Sequence, residues 1–162
     1  MLSPVMLRVG DRAPDFRGPD QHGRDIALGT LLKQGPVVVF FTSHDLAPVL
    51  TRELCALRDM YTRLHHAGAT EVIGISLATP ADVVARAAAY GLNFPLLSDS
   101  NRSISRAYGV LRLFGVLSQR ASVVIDTAAV VQGVFHRELR LRRQLQQVHR
   151  RLQQLSAATP PG

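Results

Sequence analysis

Apolar residues along this chain keep two rhythms, one continuous and one helical, and their alternation predicts most of its elements. The clearest block is Pro36 to Phe41, where Val37, Val38, Val39, Phe40 and Phe41 follow one another without a polar break. An unbroken β-branched and aromatic run marks a strand buried on both faces, so this strand belongs at the centre of a sheet. After a loop over Thr42 to Pro48 the spacing changes. Leu50, Leu54, Leu57, Tyr61 and Leu64 recur three or four apart, which draws one apolar stripe along a helix that Gly68 ends. Glu71 to Ser76 is a second apolar strand. Thr79 or its neighbour caps a helix with Pro80 in its first turn, running to about Tyr90. Phe94 to Leu97 is short and extended, and Ser100 to Tyr108 reads as a short helix. Ala121 to Asp126 and Ala129 to Phe135 form a hairpin. Arg137 to Leu155 is helical, with Leu141, Leu145, Val148, Leu152 and Leu155 on one stripe. Glycines and prolines between Gly10 and Gly29 predict turns around short strands, and Ala157 to Gly162 reads as a disordered tail.

Strands alternating with helices, then a late hairpin and a last helix, predict an α/β domain: a central mixed β-sheet covered by helices on both faces. The 162 residues suit one such domain with one sizeable core, spanning 1–162. A hydrophobic content of 46 % excludes wholesale disorder. No apolar run nears the roughly 20 residues of a membrane-spanning helix, so no membrane association is expected. Met1 to Arg8 lacks the pattern of a secretory leader, and a cytoplasmic location is the expectation. The single cysteine, Cys55, allows neither an internal disulfide nor a two-cysteine redox cycle within one chain; a disulfide to another molecule stays open.

Several phrases share the order and rough spacing of one family. They are VGDRAPDFRGPDQHGRDIAL (Val9 to Leu28), GPVVVFF, EVIGIS, YGLNFPLLSDSNRSISRAYGV and RASVVID. Over about Val9 to Phe135 the chain resembles the peroxiredoxins of AhpC/TSA type, nearest the bacterioferritin-comigratory or one-cysteine kinds. The resemblance implies a thioredoxin-like fold and thiol peroxidase chemistry. In that family a cysteine thiolate in the first turn of the helix after the central strand attacks a peroxide oxygen. It becomes a sulfenic acid, which a thiol reduces. A PxxxTxxC phrase and an arginine from a later strand surround it. The helix terminus and the cation lower the thiol pKa, and the threonine, backbone amides and arginine hold the peroxide in line.

In this chain the phrase falls on Ser43 to Leu50. Ser43 stands at the proline position, Ala47 at the threonine and Leu50 at the cysteine. Glu53 and Leu57-Arg58-Asp59 then follow as in the family, without a gap, and Arg120 matches the family arginine. The resemblance therefore implies a degenerate active site, with Ser43, Ala47, Leu50 and Glu53 as remnant positions and no ordinary peroxidase turnover. Leu50 is expected to be packed core. Cys55, five residues on, stands where some members carry a resolving cysteine. A rival placement makes Cys55 the attacking residue, since Pro48 lies seven positions before it. That puts Arg52 at the threonine position and moves the thiol out of the first turn, where the helix dipole acts. Cys55 and Arg120 are the candidate catalytic residues on that alternative, a one-cysteine peroxidase. Its partners would be a hydroperoxide and a thiol reductant such as thioredoxin, and the family commonly forms homodimers.

Charge adds one further question. The net charge is +7, carried almost wholly by arginine, and six arginines fall between Arg137 and Arg151. The expected role is a solvated helix face, with polyanion binding by this basic helix as the weaker alternative. No aromatic residues interleave as a stacking platform would need, so nucleic acid is not the expected partner. His65 and His66 diverge by about 100° on a helix and cannot share a metal from one face. No phosphate-binding glycine loop is present. No cofactor and no metal are expected.

Overall fold

The computed structural model describes residues 5–42, 49–136 and 140–158. In chain order these form β1 (Arg17–Pro19), β2 (Asp25–Ala27), α1 (Leu28–Leu32), β3 (Val37–Phe41), α2 (Val49–His66), β4 (Glu71–Ser76) and α3 (Pro80–Tyr90). The second half adds β5 (Leu96–Ser98), α4 (Ser103–Ala107), β6 (Leu111–Arg112), β7 (Leu117–Ser118), β8 (Ala121–Ile125), β9 (Val131–Phe135) and α5 (Leu141–Ala158). The five-stranded sheet runs β5-β4-β3-β8-β9. Strands β3, β4 and β5 are parallel, whereas β8 joins β3, and β9 joins β8, antiparallel. The mixture follows from the connections: α2 and α3 carry the chain back between parallel strands, and a tight turn suffices for β8–β9.

The apolar run at β3 lies at the centre of the sheet, with all five residues at 0 % exposure. Its alternate side chains serve two cores. Val38 and Phe40 pack with Leu54, Leu57 and Leu64 of α2, Val83 of α3, and Leu145, Val148 and Leu152 of α5. Val37, Val39 and Phe41 pack on the opposite face with Leu28 and Leu32 of α1, Phe16 and Tyr108. Helices therefore cover both faces, as the sequence pattern predicts.

Local signals behave as expected at α3. The Thr79 hydroxyl accepts from the Asp82 amide at 3.2 Å, Pro80 opens the helix, and Gly91 closes it in the left-handed region at φ 59°. Two short features escaped the sequence pattern, α1 and the β6–β7 ribbon, because elements this short carry no periodicity. The predicted disordered tail also needs correction. Ala157 and Ala158 continue α5, consistent with alanine being the strongest helix former. The predicted start of that helix at Arg137 falls outside the described residues; Arg140 precedes its first turn.

Candidate functional site

Helix α2 leaves the carboxyl end of β3, the end at which α/β folds place their chemistry. The second residue of α2 is Leu50, 2 % exposed and part of the core that holds Phe40, Leu54 and Leu57. The expectation of a packed Leu50 is met. Burying such a side chain contributes about 2 kcal/mol, and a hydrocarbon offers no lone pair to an electrophile. Glu53, one turn on, is equally buried at 2 %. Ser43 and Ala47 lie outside the described residues, as do His44 and Asp45.

Cys55 sits in the second turn of α2, half-buried and not disulfide-bonded. Its helical neighbours tie α2 to the end of α3. Thr51, one turn before it, donates to the Tyr90 hydroxyl at 3.0 Å. Arg58, three residues after it, donates from Nη1 to the Tyr90 carbonyl at 2.6 Å. The Asn93 amide closes the junction by donating to the Arg58 carbonyl at 3.2 Å. The thiol thus lies on a face that fastens one helix to another, beside the leucine stripe as its position predicts.

Arg120 immediately precedes β8 and is half-buried. Its Nε donates to Gln144 Oε1 at 3.1 Å. Gln144, on α5, is 0 % exposed, and its amide nitrogen donates to the Ser122 hydroxyl at 2.8 Å. The guanidinium, the amide and the hydroxyl form a chain linking the strand to the last helix. Sequence reasoning singled out Arg120 but missed Gln144. A signal was there: Gln144 interrupts the apolar stripe of α5 three residues after Leu141, and Ser122 interrupts the apolar run of β8. Two polar breaks on facing buried surfaces need one another.

The Tyr61 hydroxyl donates to Glu71 Oε1 at 2.7 Å, and His65 Nε2 lies 3.5 Å from the same oxygen. Burial first, then this hydrogen bond, pushes the Tyr61 phenol well above its ordinary value. Burial, and secondarily the charge of Asp15, does the same to Tyr108, whose hydroxyl donates to the Pro14 carbonyl at 2.7 Å. Among the described residues no three His, Cys, Asp or Glu side chains gather as a metal site. Nor is any of their helices long and apolar enough to cross a membrane.

This architecture has counterparts among known proteins. A model of the AhpC/TSA family matches residues 9–134. The chloroplastic peroxiredoxin Q of Populus jackii is 37 % identical over 150 residues, covering 92 % of this chain and 70 % of that protein. That of Sedum lineare is 37 % identical over 147 residues, covering 90 % and 78 %. Among solved structures, peroxidoxin BcpB from Mycobacterium tuberculosis matches with a TM-score of 0.82 at 32 % identity. That match covers 92 % of this chain and 98 % of the other.

Proposed function

We propose that this chain, which belongs to the AhpC/TSA family as a peroxiredoxin of the bacterioferritin-comigratory type with a thioredoxin-like fold, has lost ordinary peroxidase turnover. Leu50 carries the proposal. It occupies the first turn of α2, where the family places its peroxide-attacking cysteine, and it is 2 % exposed within the apolar core. Peroxide reduction needs a sulfur electron pair to attack one oxygen while the O–O bond breaks and the second oxygen leaves as an alkoxide or hydroxide that takes up a proton. Leu50 can supply none of this. The engagement of Arg120 with Gln144 supports the same view, since it ties the guanidinium to α5 through one of its donors.

A second reading rests on the half-exposure of Cys55. Its thiolate would take an oxygen from a hydroperoxide, giving a sulfenic acid and an alcohol; one thiol of an external dithiol such as thioredoxin would then form a mixed disulfide with release of water, and the second would free Cys55 as the reductant's own disulfide forms. Against it stands the second-turn placement, away from the helix terminus that activates a thiolate. Stopped-flow consumption of hydrogen peroxide by the native chain and by Cys55→Ser separates the two. The expected outcome is a native rate no faster than that of a free small thiol. A much faster rate that Cys55→Ser abolishes would establish the one-cysteine peroxidase instead.

A further inference from the structure

Two of the four arginines of α5, Arg142 and Arg150, expected from sequence to belong to a solvated face, lie along a seam with α2. Three adjoining hollows of about 240, 400 and 360 Å³ follow this seam, each sharing Arg63 with the next. Arg142, His149 and Arg150 line it from α5; Asp59, Arg63 and His66 line it from α2. The placement follows from helical spacing. Positions 142, 146, 149, 150 and 153 fall on one stripe of α5, and 59, 63 and 66 on one stripe of α2. Gln146 and Gln153 fill the remaining α5 positions with neutral amides.

The charge of this trough is unbalanced. Among the described residues no ion pair engages Arg63, Arg142 or Arg150, whereas Asp59, the sole acid in the lining, is already held by Arg58 at 3.0 Å. All of α5 lacks an acidic residue. From Arg142 to Ser156 the trough runs about 20 Å at 1.5 Å per residue. That length spans about six base-pair steps of a duplex at about 3.4 Å each, of which a straight trough faces only part of one winding strand.

The geometry points to the α2–α5 trough as a binding surface for the phosphate backbone of double-stranded nucleic acid. Three features favour this partner. Guanidinium forks suit phosphate oxygens bidentately. The described lining holds no Phe, Tyr or Trp, so it offers bases no broad stacking platform and binding reads the backbone without sequence preference. A membrane surface is disfavoured because the apolar stripe of α5 is already buried inside the protein: Leu145, Val148 and Leu152 are all 0 % exposed, so this face of α5 has no apolar stripe to insert among lipids.

Fluorescence anisotropy of a labelled duplex about 20 base pairs long, titrated with the full chain across a salt series, tests the inference. With about three phosphates neutralised, affinity should fall about 40-fold between about 50 and about 200 mM salt. The triple variant Arg63→Gln, Arg142→Gln, Arg150→Gln changes only exposed side chains, and its fold is checked by circular dichroism. It should lose most of the affinity and most of the salt dependence. A charge-matched control, Arg8→Gln, Arg12→Gln, Arg106→Gln, also alters exposed positions, belonging to the part of the chain packed on the other face of the sheet, and should bind as the native chain does. Equal loss in both variants would reduce the effect to net charge and overturn the assignment. So would absence of duplex binding at about 50 mM salt, or binding to phosphatidylserine vesicles but not to the duplex.

Discussion

Replacing Leu50 by cysteine, in a Cys55→Ser background so that one thiol is present, probes the packing and the chemistry of the α2 start together. Leu50 is 2 % exposed and its neighbours Leu54 and Leu57 are 0 %, so the site cannot relax toward solvent. The exchange removes two carbon centres' worth of buried surface, about 1.6 kcal/mol at 0.8 kcal/mol each. The cavity left behind raises the cost to about 2–3 kcal/mol. For a domain of this size the melting temperature should drop by about 4–12 °C, measured beside Cys55→Ser alone. The gain is chemical. A free thiol with pKa about 8.5 is about 3 % thiolate at pH 7; a helix terminus that lowers it to about 7.5 gives about 24 %, roughly eightfold more nucleophile. Stopped-flow peroxide consumption should run up to roughly eightfold faster than that of a free small thiol, where the thiol-free parent shows none. Two outcomes would refute the reasoning. A stability cost under about 0.5 kcal/mol would mean Leu50 is not packed as described. A folded variant no faster than a free thiol would mean that the α2 start no longer activates sulfur.

Adding Ala47→Thr to that variant should raise the peroxide rate further, because a hydroxyl would then be available to hold the substrate oxygens; an unchanged rate counts against Ala47 as the remnant threonine position. Gln144→Leu should cost about 1–3 kcal/mol in urea unfolding, since the Ser122 hydroxyl, 0 % exposed, loses the bond it receives at 2.8 Å. The double variant with Ser122→Ala should recover most of that loss, and purely additive costs would show the two are not coupled. Stability should also decline at high pH. Tyr108 has its phenol pKa raised in the folded state by burial, so its contribution is complete below the unfolded value of 10.0 and disappears as pH climbs beyond it. Tyr108→Phe should flatten that decline at a cost of about 1 kcal/mol for the lost bond to Pro14, and an equally steep loss in the variant would place the cause elsewhere.

The layers of the fold were legible because they rest on burial, and burial leaves a period in the sequence. The run from Val37 to Phe41 announces a two-sided strand, and the leucines of α2 and α5 announce the faces that cover it. Alpha1 and the β6–β7 ribbon were not legible, since five and two residues are shorter than any period that could betray them. At the site the sequence located Leu50, Glu53, Cys55 and Arg120 along the chain but could not say what Arg120 touches. Its partner Gln144 is 24 positions distant, and pairings at that range follow from how α5 docks on β8. The seam between α2 and α5 was hidden for the same reason. Helix α5 alone reads as a basic face and α2 as a leucine stripe, and only their packing brings Arg63 toward Arg142 and Arg150.

Leu50 and the basic trough share α2 yet sit far apart on it. Leu50 and Arg63 are 13 residues apart, about 20 Å along the axis, and they serve different surfaces, one turned into the core and one turned to solvent. A change at Leu50 acts through core packing, whose effect is shared by the whole domain when it unfolds but does not alter an exposed guanidinium while it stays folded. A change at Leu50 therefore leaves the trough intact, and a well-packed leucine at that position lends the domain stability that a smaller side chain there would forfeit. Duplex affinity measured on the folded Leu50→Cys variant should equal that of the native chain. An altered affinity would mean that α2 transmits a change along its length and that the two surfaces are one.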